Sequence, residues 1–299
     1  APLRPARAMT RPTLESVCRR MARRRSTDLS ADPADDRRDT WNAAFFRLPY
    51  TRFWHSAKQV ERDALLARCT ANVLGEALGI EAQAMDYSAK RVLAAENLIE
   101  KQVYCLIAAE EARHHRWLSG LQPTVVESGT PAAFAGLLAR LVREASPLAQ
   151  SYLLQIVLEG WGISHYRRLA AASLDAGATR VFAAIAHDEG LHYAAGVAHF
   201  DASRLTGAER AFIRIALAEL CTLLACGPLA VLHEVERSAG GFAPVERAQA
   251  FADLLDRCAS RERLDHLARF VAHQGMEADA IWLREQGLLA PLPAATSLH

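Results

Sequence analysis

The chain has 299 residues, 51% of them hydrophobic, and a formal net charge of +1. That balance suits a compact soluble globule of one large domain or two smaller ones. No run approaches the roughly 18 consecutive apolar residues that a bilayer helix needs, and no apolar segment near the N-terminus has the form of a secretory signal, so neither a membrane span nor a leader is expected and a cytoplasmic location is.

Val and Ile are sparse, and no stretch alternates apolar and polar residues over strand length. The expected class is therefore all-α. The six cysteines, Cys18, Cys69, Cys105, Cys221, Cys226 and Cys258, form no Cys-x-x-Cys. Most sit in apolar helical patterns and are expected to be buried free thiols. Lys is almost absent (Lys58, Lys90 and Lys101) and Arg abundant, to which no function is attached.

Residues 1–50 read as an N-terminal arm. Arg4, Arg7, Arg11, Arg19, Arg20 and Arg23 to Arg25 precede Asp32, Asp35, Asp36 and Asp39, the pattern of a solvated or partly helical tail rather than a nucleic-acid contact. The aromatic stretch from Trp41 to Tyr50, with Phe53 and Trp54, is expected to pack over a bundle. Residues 51–202 read as that bundle. A long helix begins near Ser56 and carries Glu61, Glu76 and Glu81. It ends near Ala95, where Asn97 and Glu100 have the spacing of a capping box. The next helix runs from Leu98 to about Leu118. After a connection at 120–129, Thr130-Pro131 opens a helix to about Ser146, and another starts at Pro147 and contains Glu159. A turn at Leu174–Thr179 leads to a fourth core helix, about Thr179 to Phe200. Residues 203–299 read as C-terminal helices on the bundle: a capping box at Thr206–Glu209, a break at Gly227-Pro228, and helical segments to about Gln286.

One constellation occurs twice. Glu81, Glu111 and His114 recur 78 positions later as Glu159, Glu189 and His192. Each copy is a lone Glu 30 residues before a Glu-x-x-His, and each has a turn signal at its midpoint. Glu and His at i and i+3 share a helix face, and residues equidistant from a turn face each other across an antiparallel pair. Two such pairs can offer four carboxylates and two imidazoles to two metal ions, an oxygen and nitrogen donor set suited to iron or manganese. The apolar stripes around Glu111, Glu159 and Glu189 support this, since a carboxylate among them is expensive unless paired, protonated or metal-bound. Glu76 is the rival to Glu81, but it lies on another helix face and breaks the symmetry.

The pattern resembles the ferritin-like di-iron carboxylate superfamily, in particular its O2-activating members with two Glu-x-x-His motifs, over about Glu76 to Phe200. The run Glu159-Gly-Trp-Gly-Ile-Ser-His-Tyr followed by His187-Asp-Glu-Gly-Leu-His192 is similar to the second half of aldehyde-deformylating oxygenases. The resemblance implies a ferritin-like four-helix bundle with additional C-terminal helices. It implies Glu81, Glu111, His114, Glu159, Glu189 and His192 as metal ligands, with Glu111 and Glu189 bridging and central to catalysis. Asp188 is then expected to hydrogen-bond His114 across the bundle, with Glu110 in the symmetric place beside His192. The implied activity is an O2-dependent oxygenase or oxidase using two Fe ions, or an Fe/Mn pair. It would act on a small organic substrate through a bridged peroxide or a high-valent successor. No flavin or iron–sulfur motif is present, so a separate reductase is the expected partner, with no nucleic acid and no membrane; a homodimer stays open. Storage ferritins generally carry one such motif per chain, and rubrerythrin-like peroxidases add paired Cys-x-x-Cys. Arylamine N-oxygenases have an extra His where Ile185 stands, and radical-generating reductase subunits have Tyr where Leu118 stands. The substrate is left open, beside three alternatives: a ferroxidase or storage protein, a tRNA-modifying hydroxylase, and a non-catalytic bundle.

Other candidates carry weaker readings. His199 shares a face with His192 and is expected in the core or beside a ligand. His115, His165 and His187 are assigned surface or packing roles, and His233-Glu234 and His273-x-x-x-Glu277 no chemistry. Gly160 and Gly162 are expected to admit a substrate or a close helix, or simply to pack tightly. Tyr152, Trp161 and Tyr166 are core aromatics, or carry electrons or line a pocket.

Overall fold

The computed structural model describes residues 11–23, 29, 40–122 and 132–291. All regular structure among them is helical. Helix α1 (Leu14–Ala22) is followed by a short α2 (Arg52–Ser56) and then by the long α3 (Gln59–Ala94) and α4 (Leu98–Leu121). After α5 (Ala132–Glu144), one rod spans 147–172: α6 (Pro147–Gln150), a π-helical stretch Ser151–Glu159, and α7 (Gly160–Ala172). Next come α8 (Ala176–His199), α9 (Gly207–Ala225), α10 (Leu229–Ala239), α11 (Pro244–Leu254), α12 (Arg257–Val271) and α13 (Glu277–Glu285). No single helix among the described residues is long and apolar enough to cross a membrane.

The capping chemistry explains the boundaries. Asn97 caps α4 by accepting from the Glu100 amide at 2.9 Å. The reciprocal half of the expected box is missing, because the Glu100 carboxylate turns to the Glu96 amide and to Arg91. Ser146 caps the rod ahead of Pro147 at its first position, Asp175 caps α8 three residues ahead of the expected start, and the Thr206–Glu209 box closes on both sides. The expected cap at Thr130 lies outside the described residues.

Two apolar clusters fill the bundle, and the direction of each helix can be read from the order in which it meets them. Along α3, Leu65 to Ala77 belong to one cluster and Tyr87 to the other; along α4, Val103 to Ile107 precede Trp117 and Leu118 in the reverse order. The rod meets Tyr152 to Val157 first and Tyr166 to Ala170 later, while α8 runs from Ala178–Ala186 to Ala195–Phe200. Thus α3 is antiparallel to α4, and α7 to α8. Glu81, Glu111, Glu159 and Glu189 all fall where the clusters meet.

The aromatic stretch packs over the bundle. Trp41 is fully buried, 5.6 Å from the Phe182 ring, and its indole N–H donates to the Leu169 carbonyl at 3.0 Å. Part of the arm docks: α1 buries Val17 and Met21 against α4 and α8, and Arg11 donates to the carbonyls of Val197 and Phe200. The six cysteines are free thiols, but only Cys69 and Cys221 are buried; Cys105 and Cys258 are exposed and Cys18 and Cys226 half-buried. Cys105 and Cys258 lie on solvent faces of amphipathic helices, which an apolar count along the chain overlooks.

Candidate metal centre

Because Glu and His three residues apart share a helix face, α4 turns Glu111 and His114, and α8 turns Glu189 and His192, into the bundle centre. All four are buried. From the facing helices come Glu81 on α3, also buried, and half-buried Glu159 at the end of the π-helical stretch. Their donor atoms fall into two groups, Glu81/Glu111/His114/Glu189 and Glu111/Glu159/Glu189/His192, each with its atoms within 4.8 Å of one another.

Glu111 and Glu189 belong to both groups, and their oxygens are divided between them. Glu111 places Oε2 3.2 Å from His114 Nδ1 and Oε1 3.1 Å from His192 Nδ1. Glu189 places Oε1 3.8 Å from His114 Nδ1 and Oε2 2.9 Å from His192 Nδ1. Glu81 approaches only the His114 side, at 3.2 Å.

Whether this donor set fits cations can be tested on its own hydrogen bonds. Both ring nitrogens of each histidine face carboxylates, which can only accept. His114 Nε2 donates to Asp188 at 3.2 Å and His192 Nε2 to Glu110 at 2.9 Å, while the Nδ1 atoms face the ligand glutamates. Six carboxylates thus meet two imidazoles and Arg113, which lies 3.6 Å from both Glu110 and Asp188. Even with both imidazoles protonated the negative charge is in excess. Without metal, protons fill the deficit. Burial, reinforced by the Glu111 charge, pushes Glu81 up to about 8. Burial and then Glu189 push Glu159 well above the carboxylate range. Burial also opposes ionisation of Glu111, but His192 and His114 overcome it and hold Glu111 low. Burial disfavours the imidazolium of His114, yet hydrogen bonds to Glu111 and Glu81 raise it to about 10, and His192 is raised likewise by Glu111 and Glu189. Glu111 Oε1 is buried and receives no well-directed hydrogen bond despite its proximity to His192. Excess buried carboxylate, protonated imidazole nitrogens facing inward and an orphaned oxygen all fit a site built for cations, which displace such protons on binding.

Glu76, the rival ligand, stands apart from both groups; burial raises its pKa. His199 is not beside a ligand. It sits 2.9 Å from Arg91, next to Glu100, at the end of the bundle. His187 is exposed and His115 half-buried, both outside the ligand set. Glu234 is buried and held by Arg68 and Asn72, and His273 contacts the Tyr193 hydroxyl at 3.1 Å. Tyr152 is a core residue whose hydroxyl donates to the Val271 carbonyl.

Three features lie beyond the sequence reading. Tyr166 donates its hydroxyl to Glu81 Oε1 at 2.5 Å, fixing the carboxylate from behind. Arg113 joins the two outer carboxylates. The third is the π-helical stretch ending at Glu159, of a kind that interrupts helices at functional sites. Gly196 permits it: a Cβ there would stand 2.5 Å from the Gln155 Cβ. A Glu-x-x-His scan contains no signal for the first two, but Gly196, seven residues after Glu189, marks the third.

An apolar cavity of about 640 Å³, counted to its open mouth, reaches Glu159 and Glu189. Its walls include Ile80 and Tyr87 of α3, Leu138 of α5, and Trp161 and His165 of α7. The two glycines of α7 divide their expected roles. Gly162 lines the cavity, while a Cβ on Gly160 would strike the Phe270 ring of α12 at 2.4 Å, so Gly160 admits the close helix. Comparison of the chain with family models, with curated proteins and with solved structures gives no match.

Proposed function

We propose that this chain is a ferritin-like four-helix bundle that holds two metal ions, iron or iron with manganese, and uses O2 to oxidise a small organic molecule. The observation that carries the reading is the division of Glu111 and Glu189, each presenting one oxygen to the His114 side and the other to the His192 side. Glu111 and Glu189 would be shared by a metal pair, with Glu81 and His114 holding one ion and Glu159 and His192 the other.

When bound, an iron pair would supply the electrons for reducing O2. The chain's own residues do the rest. Asp188 and Glu110 hold the proton on each Nε2, which leaves each Nδ1 free to ligate. Arg113 offsets the charge of those two outer carboxylates without entering the centre. Tyr166 limits the freedom of Glu81, whereas Glu159 meets Glu189, itself a member of the centre, and borders the cavity. That asymmetry supports substrate approach on the Glu159 side. The apolar walls exclude water there, and electrons come from a separate donor.

Anaerobic loading with Fe(II) followed by metal analysis tests the reading, with about two ions per chain expected. Glu189→Ala and His192→Ala should lose at least one of them and abolish rapid O2 consumption. Wild-type protein that retains no iron after loading would sink the proposal.

A further inference from the structure

One wall of the cavity beside Glu159 is a single helical stripe. Leu158, Trp161, Gly162 and His165 stand at i, i+3, i+4 and i+7, and all four line it. A Cβ on Gly162 would meet nothing within 4 Å, so the stripe opens onto free space there. The rings of Trp161 and His165 stack with centroids 5.0 Å apart at 14°, which fixes their planes. On the solvent side of α7, a guanidinium nitrogen of the exposed Arg168 lies 3.2 Å from His165 Nδ1. A guanidinium can only donate, so His165 accepts at Nδ1 and carries its proton on Nε2. Burial, then Arg168 and Arg263, keep the ring neutral, with its pKa pushed down to about 3.

The other polar groups of the wall are mostly spoken for. The hydroxyls of Tyr87 and Tyr166 donate to Gln155 Oε1 at 3.0 Å and to Glu81 Oε1 at 2.5 Å, so these residues offer the cavity their rings. Glu159 and Glu189 belong to the centre. Among the described residues no other charged group lines the cavity, and Gln83 of α3 contributes a neutral amide. His165 Nε2–H and the Trp161 indole N–H find no acceptor among the described residues. Both are groups that can only donate. The α7 wall is therefore neutral, aromatic and supplied with unused donors.

The geometry points to an uncharged, largely apolar substrate with a hydrogen-bond acceptor, a carbonyl or hydroxyl oxygen that His165 Nε2–H holds. This rests on the oxidase reading of the centre and names the class of molecule that reading would act on. A buried donor left unpaired is costly, and an acceptor on the ligand removes that cost. A carboxylate would bring its charge next to Glu159 and Glu189 with no cation on the wall to meet it. An ammonium would bring donors to a wall of donors. His165 stands six residues past Glu159, about 9 Å along the rod by helical rise. The acceptor is thus an anchor, and the carbon nearest the centre lies several bonds away from it.

Titration calorimetry of the full chain with acetophenone, ethylbenzene, phenylacetate and 1-phenylethylammonium tests the assignment, in metal-free and Fe(II)-loaded samples. The infrared carbonyl stretch of bound acetophenone is the second readout. The two charged probes should bind at least about tenfold more weakly than acetophenone, because each buries an unpaired charge. His165→Phe keeps a ring beside Trp161 and removes the donor. It should weaken acetophenone about three- to tenfold and leave ethylbenzene unchanged. The carbonyl stretch should lie below its value in an apolar solvent, and His165→Phe should return it to that value. Gln83→Leu and Trp161→Phe should leave it in place. Gly162→Leu, whose side chain enters open space, should abolish binding of both neutral probes. Charged probes that bind as well as acetophenone, a carbonyl stretch that His165→Phe does not move, neutral probes indifferent to Gly162→Leu, or no binding at all would overturn the assignment. Metal analysis of the same samples separates the two ideas. A His165-dependent carbonyl shift without bound iron leaves the binding site standing and removes the oxidase reading; two bound ions without the shift do the opposite.

Discussion

Two buried polar clusters lie on the long helices, and they are built on opposite terms. At the end of the bundle, Arg91 is 1% exposed and partnered at both terminal guanidinium nitrogens, its buried Nε alone making no hydrogen bond. It donates to Glu100 at 2.7 Å and to the Pro147 carbonyl at 2.8 Å, meets His199 at 2.9 Å, and lies over the Tyr104 ring at 4.8 Å. Beside it, Tyr87 and Tyr104 both donate to Gln155. One charge answers another, and the charges of the cluster balance as they stand. The centre at Glu81, Glu111, Glu159 and Glu189 is incomplete. It has more carboxylates than cations and holds protons where an arginine could have stood. Burying a charge without its partner is far more expensive than burying a pair, so the first cluster is balanced within the fold and the second could hold a metal ion.

The largest effect should come from breaking the balanced cluster. Arg91→Leu leaves the Glu100 carboxylate buried without its guanidinium, and removing one member of a buried pair destabilises by about 3–5 kcal/mol. Urea unfolding should show this loss with and without metal. Glu159→Gln in the incomplete cluster should leave the metal-free protein as stable as wild type or more so, by up to about 1 kcal/mol, because it removes a carboxyl that burial and Glu189 disfavour. The same variant should bind metal more weakly. A large loss of metal-free stability in Glu159→Gln would show that the centre is self-sufficient and erase the contrast.

A smaller effect separates the two halves of the centre. Asp188→Asn keeps the shape but weakens the hold on the His114 Nε2 proton. Affinity for one metal ion should fall about 10–100-fold, while the ion on the His192 side, served by Glu110, keeps its affinity. Stepwise Mn(II) titration followed by EPR would resolve the two events. Equal weakening of both would mean that Asp188 acts through the total charge rather than through one imidazole.

Much of the buried Glu/His cluster was legible in the chain, and the reason is geometric. An i, i+3 pair has one meaning on a helix, and a turn midway between two residues makes them face each other, so spacing alone could prefer Glu81 to Glu76. The outer partners Asp188 and Glu110 followed from the family resemblance, in which the residue before the motif glutamate hydrogen-bonds a histidine across the bundle. Other features depend on contacts between elements distant in sequence. The Tyr166–Glu81 bond spans 85 positions. Arg113 matters only because α8 brings Asp188 to it, and His165 lines the cavity only because α3 and α5 close the other walls. His199 was misplaced by periodicity: seven residues past His192 is the same face but two turns away, at the level of Arg91. The π-helical stretch also escaped, since it adds no residue type of its own, and only the missing Cβ of Gly196 hints at it.

The mildest difference between the clusters is their response to pH. Glu81 in the metal-free fold titrates at about 8, raised from 4.5 by burial and by Glu111. A group raised on folding stabilises the fold while it is protonated. Its contribution is therefore complete below about pH 4.5 and is lost as pH rises through about 8. His114, raised from 6.5 to about 10, has the same sign, and its contribution is lost as pH rises through about 10. Metal-free stability should thus decline between about pH 5 and 9, and Glu81→Gln should make the decline shallower by removing its lower part. Bound metal should reverse the trend, because a cation takes the place of those protons and binds more tightly as they leave. Urea midpoints across that range, measured with chelator and with Mn(II), give the two slopes. Slopes of the same sign would mean that metal does not displace protons from Glu81 and His114, and that the second cluster is as closed as the first.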